Sequence, residues 1–479
     1  MNNDQVAARF VNSKVVIVFG GLRPVVRGGM LSVLWRARRL TECGVEARIL
    51  TFDYHLDYPL IRQQLICAGR MNEDVEILNI HEFLKSDQID ALPSVEDDVP
   101  AFVFEDASGE DLRYKLKLAS RSWPVGDEEY YVEYFRDNGT VYMRALVRGD
   151  RSMWQGAENI QLVGEDGRVR ARFSSTRELW GFWLQQIAAG EEIFVVQDFQ
   201  WMAKSGDEIF FDLLTGENIY NFRVAHGAAA AAPVTPTAHI VPGWANADRY
   251  NAELDGLVFL TDEQKQHWAQ RFGELPNLYS IPHECMVDSF DGSSRDGDRC
   301  VLIASLTPLK RVDDAINAFR TVVDCRPNAT LDVYGEGPSR DDLLRQISDL
   351  GLSGSVTLHG YSSAAAPACE GAALSLLTST REAFGMTILE SMSRGCPVVA
   401  YDIDYGPRTM ITHGVDGFLV PSGNVELLSR EMLRILNATE EKMQDMRSAA
   451  LTKAQQYSGS ATIRRWFDMF EDSRRRRQA

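Results

Sequence analysis

Residues 381–402 read REAFGMTILESMSRGCPVVAYD. Two glutamates, Glu382 and Glu390, bracket a stretch with one glycine, and a run of β-formers follows Gly395-Cys396-Pro397. The apolar LSLLTS just before it predicts a buried strand, with TREAFG as its exit loop. TILESMSR predicts a short helix stopped by Gly395, and PVVAYD the next strand. Strand, loop, helix and strand in this order build a parallel α/β sheet. Its polar residues have two readings. Thr387-x-x-Glu390 matches a capping box. Alternatively, the amides of Gly385, Met386 and Thr387 stand at a helix N-terminus after a strand, where such amides bind phosphate. A carboxylate on either side then holds the hydroxyls of a sugar and of a ribose, which suits a nucleotide-sugar.

The same alternation continues outward. CVLIASL, a helix over 311–325, ATLDVYGEG, SVTLHGY and GFLVPSG repeat it around the quoted stretch. Near the N-terminus, KVVIVFGG (14–21) predicts a buried parallel strand. A helix over 27–44 follows, with Met30, Leu31, Leu34, Ala37 and Leu40 at helical spacing and Gly44 as its stop. The strands VEARILTFD and VEILNI extend that unit. Between about 100 and 190 the pattern changes to short alternating strands. Their turns, at Asp137-Asn138-Gly139 and Glu165-Asp166-Gly167, are hairpin signals, so this region is antiparallel and is inserted into the first domain. RELWGFWLQQIAAG then predicts a helix, EEIFVVQD a buried strand, and NFRVAHG a strand ending at His226. DGSSRDGD near 290 reads as a linker. TIRRWFDMF puts Ile463, Trp466, Phe467 and Phe470 on one helical face.

The expected domains are 1–95 with 190–288, a β-rich insertion at 96–189, a second α/β domain at 289–455, and a helix with a basic tail at 456–479. That helix is expected to pack back on the first domain. In doubly wound domains ligands favour the crevice beyond the strand ends, so candidate ligand groups belong just after strands.

The 479 residues carry a net charge of −18, which argues against a nucleic-acid binder. SRRRRQA at the C-terminus is a basic patch, read as a solvated tail or as a contact to a membrane surface or polyanion. Further local patches are Arg121, Arg136, Arg144 and Arg148. The seven cysteines are dispersed without CxxC, as in reduced cytosolic proteins. The N-terminal stretch lacks a signal-peptide core, and no run of about 18 apolar residues exists. A cytoplasmic location follows, with the inner membrane face as an option. No cluster has convincing metal spacing, and no metal is expected. Asp402-Ile-Asp404 resembles a metal-binding DxD but closes a strand, and it reads as structural.

Glu382 and Glu390 with the embedded Phe384-Gly385 resemble the E-x7-E signature of the retaining glycosyltransferases of family four, which have the GT-B fold. The resemblance covers 14–53 and most of 190–465. It implies two Rossmann-like domains facing a cleft. It also implies that Glu382 contacts the donor hexose and Glu390 the ribose, while Lys310 grips the donor diphosphate. Gly28 and Gly29 match the family's glycine loop, and His226 its active-site histidine. The family commonly has arginine where Ser305 stands, and Arg311 is the candidate substitute. The implied catalytic set is His226, Glu382 and Lys310. The implied donor-binding set is Gly28, Gly29, Ser305, Lys310, Arg311, Tyr361, Glu382, Phe384, Gly385, Met386, Thr387 and Glu390. The five alanines at 228–232 depart from relatives, which carry polar or bulky residues there.

Asp404-Tyr405-Gly406-Pro407-Arg408, with ITHGVDGFLV behind it, resembles a narrower group. That group holds the bacterial poly(glycerol-phosphate) and poly(ribitol-phosphate) glycosyltransferases of wall teichoic acid, and the transferases that place N-acetylglucosamine on serine-rich adhesins. The β-rich insertion is similar to their β-domain, which implies acceptor binding or assembly into a homo-oligomer. The implied activity moves glucose or N-acetylglucosamine from a UDP-sugar to a hydroxyl, with retention, without a metal. A polyol-phosphate polymer is the leading acceptor, and a protein hydroxyl the alternative. Rivals are a non-catalytic GT-B partner subunit and a Rossmann oxidoreductase. The oxidoreductase needs GxGxxG, which GGLRPVVRGG lacks, although Asp53 is suitably placed.

Overall fold

The computed structural model describes residues 3–22, 28–53, 58–92, 120–126, 129–148, 157–188, 191–198, 214–227, 247–286, 296–362 and 365–479. The alanine run therefore lies outside the described residues, as does most of the expected linker. The chain divides into two compact units, residues 4–222 and residues 1–3 with 223–479. Among the described residues no helix is long and apolar enough to cross a membrane.

The sheet that carries the quoted stretch has six strands. Their order is Val356–Gly360, Thr330–Tyr334, Asp296–Ile303, Ala372–Leu377, Val398–Asp402, Gly417–Pro421. All neighbours are parallel, with Leu302 opposite both Val333 and Leu376. Apolar composition explains the centre: every residue of Ala372–Leu377 is buried, as a strand covered on both faces requires. The chain enters at Asp296–Ile303, builds toward one edge, then returns to add Ala372–Leu377 on the other side. The strand order thus reverses between these two strands, and such a reversal opens a crevice beyond their carboxyl ends. The expected linker is shorter than its composition suggests. Asp296 already pairs with Ala372, and the Asp298 carboxylate accepts from Arg326 Nε at 2.8 Å, so the polar run ends inside the strand.

A second sheet runs Leu278–Ser280, Gly256–Phe259, Ile219–Ala225, Glu192–Gln197, Ser13–Val18, Glu46–Thr51, Glu76–Asn79. Ser13–Val18 is parallel to both of its neighbours. The third sheet is the antiparallel insertion, with five strands between Ser120 and Ser175. Both expected turns form, with Gly139 at φ 85° and Gly167 at φ 78°, left-handed values that glycine adopts at little cost. Tyr142, Ile160 and Leu162 of this sheet share one core with Phe52, Trp180 and Trp183. Phe52 meets both tryptophan rings edge-on at 5.3 Å.

Two expected basic patches are not free positive surfaces. Arg136 is buried and donates to the carbonyls of Val141 and Val163 at 2.8 and 2.9 Å. Arg144 pairs with Glu133 across the strands, and Arg148 with Glu129. Period-two alternation puts these glutamates on the same face, directly opposite the arginines. The side chain of Arg121 lies outside the described residues. The C-terminal SRRRRQA is not a solvated tail either, because the helix Gly459–Gln478 runs through it. Arg477 holds the Asp255 carboxylate at 2.6 and 2.7 Å, and Arg476 donates to the Tyr279 hydroxyl at 2.8 Å. Ile463, Trp466, Phe467 and Phe470 are all buried, as their spacing predicts.

Gly335-Glu336-Gly337 carries the sheet beyond the strand ends. Leu306 N donates to Glu336 O at 2.9 Å, and Ser339 N to Leu306 O at 3.0 Å. A Cβ on Gly337 would stand 2.3 Å from Leu306 O, where backbone leaves no room. Gly337→Ala is therefore expected to destabilise this unit by about 1–3 kcal/mol, the usual cost of overpacking. Gly354, whose added Cβ meets nothing within 4 Å, is the control. Differential scanning calorimetry should show a lowered transition for Gly337→Ala and an unchanged one for Gly354→Ala.

Candidate functional site

The loops after Asp296–Ile303 and Ala372–Leu377 meet where the strand order reverses. The first carries Lys310, the last residue of a short 3-10 turn over Pro308–Lys310. The second carries Glu382. Lys310 Nζ lies 2.5 Å from Glu382 Oε1, which also accepts from Ser379 Oγ at 2.6 Å. Backbone contacts lock the two loops together. Thr378 Oγ1 donates to Lys310 O at 2.9 Å, and Thr380 N to Leu309 O at 2.9 Å. The ion pair remains partly open, with side-chain exposures of 21% for Lys310 and 14% for Glu382.

Arg311 follows Lys310 in the left-handed conformation, φ 46°, which costs a non-glycine residue about 1 kcal/mol or more. It is held there by Asp314, which accepts from Arg311 at 2.8 Å and from the Tyr401 hydroxyl at 2.8 Å. Its bond to Asp314 raises the Arg311 pKa above its usual value, and burial raises that of Tyr401. Asp314 is itself buried. Arg311 is thus engaged in shaping the turn. Ser305 is exposed at the mouth of the same loop.

The capping box does not form. The helix is Met386–Met392, with Gly385 at its N-cap, φ 88°, and no side-chain cap bond. Thr387 already lies inside the first turn, so its hydroxyl cannot serve as the cap. Met386 and Thr387 are half-buried and Gly385 is buried. Phe384 is 2% exposed, edge-on to His283 at 5.4 Å and near Tyr457 at 6.0 Å. Its ring is a core group, which leaves main-chain atoms for any ligand. Glu390 is half-buried. Beneath it the Cys285 thiol donates to Leu389 O at 3.3 Å, and burial pushes that thiol up to about 12.

Asp404-Tyr405-Gly406-Pro407-Arg408 braces this helix. A Cβ on Gly406 would meet Phe384 O at 1.9 Å. Tyr405 N donates to Glu263 at 3.2 Å, and the Tyr405 hydroxyl lies 3.2 Å from His267 Nδ1. Arg408 bridges Asp402, Asp404 and Glu263. Both aspartates of the DxD-like stretch are thereby committed to an arginine. Among the described residues no group of three or more His, Cys, Asp or Glu could hold a metal.

His226 follows its strand directly and is half-buried. Its ring stacks on His283 at 5.5 Å, interplanar angle 25°. The order His226, His283, Phe384 thus links the histidine to the E-x7-E stretch. Tyr361 follows Val356–Gly360 and is 44% exposed. Gly28 and Gly29, both exposed, open the helix Gly28–Glu42 in the other compact unit. Asp53 in that unit is buried and accepts from the Tyr58 hydroxyl. Thr378, Ser379, His283 and the glycines 335 and 337 were not singled out by sequence. Only the glycine pair left a signal, a GxG straight after a strand.

Residues 290–453 match the family model of glycosyl transferases group 1. The chain is 26% identical over 350 residues to a poly(glycerol-phosphate) alpha-glucosyltransferase of Bacillus subtilis, covering 70% of this chain and 50% of that protein. It therefore spans half the length of that relative. It is 22% identical over 502 residues to a poly(ribitol-phosphate) alpha-N-acetylglucosaminyltransferase of Staphylococcus aureus, covering 93% of this chain and 97% of that one. Among solved structures it is similar to an S. aureus TarM variant in complex with fondaparinux, alpha-GlcNAc-glycerol and UDP. The TM-score is 0.71 at 19% identity, over 95% of this chain and 99% of the other. That likeness shows the fold, which is GT-B, with two parallel α/β sheets and an antiparallel insertion.

Asp314→Ala should cost about 1–3 kcal/mol, because it leaves the buried Tyr401 hydroxyl without its acceptor. It also releases Arg311 from its turn. Asp313→Ala, at a half-exposed carboxylate 3.8 Å from Arg311, should cost less than about 0.5 kcal/mol. Thermal melts of the two variants check the difference.

Proposed function

From a chain whose residues 290–453 match the family model of glycosyl transferases group 1, we propose that it moves a hexose from a UDP-sugar to a hydroxyl, with retention of configuration and without a metal. The hexose is glucose or N-acetylglucosamine, as in the names of the relatives. The observation that carries this reading is the meeting of Lys310 and Glu382 over the strand reversal. One ammonium and one anchored carboxylate, beside the amides of Met386 and Thr387, answer a diphosphate joined to a polyhydroxyl ring.

The pair is poised to exchange partners. A partly exposed ion pair is worth only about 0–1 kcal/mol, so little is lost when a diphosphate takes the ammonium. Glu382 keeps its place through Ser379 Oγ and accepts hexose hydroxyls instead. In the transition state negative charge grows on the departing β-phosphate, and Lys310 meets it where it develops. The acceptor hydroxyl attacks from the leaving-group side and passes its proton to that phosphate. His226 orients the hexose and Glu390 the ribose, while Tyr361 and Ser305 line the rim.

For the acceptor we favour a polyol-phosphate polymer of the wall teichoic acid type, because two relatives carry such names. The paired arginines of the insertion offer that polyanion little net charge, so its hydroxyls are the more suitable handle. Seven cysteines outside any disulfide suit the reducing cytoplasm.

Thermal shifts with UDP-glucose, UDP-N-acetylglucosamine, UDP-galactose and GDP-mannose test the donor. Stabilisation by a UDP-sugar is expected, and a shift with GDP-mannose alone sinks the assignment. Glu382→Ala should cut transfer about 100-fold or more through lost positioning, with the melting temperature nearly unchanged. Wild-type turnover in that variant removes Glu382 from the mechanism.

A further inference from the structure

His226 lies between Ala225 and Gly227, so bonds that hold those two residues help to set where its ring points. The strand Ile219–Ala225 ends one residue earlier. One side chain spans the position. Gln264 Nε2 donates to Ala225 O at 3.2 Å and to Gly227 O at 2.6 Å, the carbonyls on either side of His226. A primary amide has two N–H donors, and both are spent on this turn. Its oxygen is spent too, accepting from Leu260 N at 3.0 Å. Gln264 N is fixed in turn by the Thr261 hydroxyl at 3.1 Å, the N-cap of the helix Asp262–Phe272. With 3% exposure the amide faces no competing water.

We infer that Gln264 is the positioning residue of His226: it pins the carbonyls of residues 225 and 227 and so aims the imidazole onto His283 and toward the E-x7-E stretch. The inference rests on the proposed role of His226 toward the hexose. Gln264 touches no substrate in this account. It acts only through the histidine, whose ring stacks on His283. Gln264 bonds the carbonyls on both sides of the histidine. Bonding both is what a device for setting one intervening residue requires.

The test is a double-mutant cycle on the full chain, with UDP-glucose and UDP-N-acetylglucosamine as donors and glycerol phosphate oligomers or water as acceptor. Gln264→Glu keeps the shape and the acceptor for Leu260 N but turns an oxygen toward the two carbonyls. Gln264→Met keeps only the shape, so that at least one variant reports if the other misfolds. Each is expected to lower kcat about 10- to 100-fold, with donor KM within about twofold, as for a misplaced catalytic group. In a His226→Ala background neither should lower kcat further. Thr261→Ala, which removes the helix cap but leaves the amide–carbonyl bonds, should lower the melting temperature without lowering kcat. Independent, multiplying losses in the double mutants overturn the inference, as does wild-type kcat in both Gln264 variants. If wild type and His226→Ala turn over both donors equally, the role of His226 itself fails, a result separable from the failure of Gln264 alone.

Discussion

The contact between Lys310 and Glu382 is the constraint on which the site depends. It joins the exit loops of the two strands that flank the reversal in strand order. At that level the two loops bond to each other, Thr380 N donating to Leu309 O at 2.9 Å. The ion pair contributes little stability, being partly exposed. Its weight is geometric. Hydroxyl and amide bonds from Thr378 and Thr380 to the carbonyls of Lys310 and Leu309 bring the two loops into register, and the charges then meet directly. A diphosphate that takes the ammonium from Glu382 finds it already in place. Preorganisation of this kind is what stabilises charge that develops only in the transition state.

Close backbone packing makes the site rigid. The glycines at 335 and 337 let one strand exit lie on the next, and Gly406 lets a turn press on Phe384 O. Tyr405, at φ 66°, and Arg311, at φ 46°, are held in left-handed conformations by neighbours that satisfy their side chains. Strain of this sort persists where surrounding structure over-determines it, and it clusters at functional sites. The helix Met386–Met392 is then placed by contacts below it, from His283, Cys285 and Tyr457, without a side-chain cap of its own.

Much of this was legible in the sequence where a local pattern sufficed. The strand Ala372–Leu377 announces itself as an apolar run, and the hairpins of the insertion by their Asn-Gly and Asp-Gly turns. Glu382 and Lys310 were singled out by position after strands together with family resemblance, and the fold brings them together. The failures come from backbone geometry and from partners that the local pattern does not show. Thr387-x-x-Glu390 fits a capping box, but with Gly385 at the N-cap the helix starts two residues too early for it. The arginines of the insertion look like a basic surface until cross-strand glutamates are set opposite them. Arg476 and Arg477 look like a tail, yet Tyr279 and Asp255 hold them from about 200 residues away in the chain. Gln264 and Thr378 carry no sequence signal, because each matters only through a carbonyl that the fold delivers.

The central claim is that Lys310 meets the β-phosphate of a uridine diphosphate at the strand reversal. Isothermal titration of UDP and of UMP into wild type and Lys310→Met tests it directly, since the two ligands differ only in that phosphate. The account expects wild type to favour UDP by about tenfold or more, the 1.4 kcal/mol or so of a charge-assisted bond, and the variant to bind both alike. An undiminished preference for UDP in Lys310→Met would contradict it.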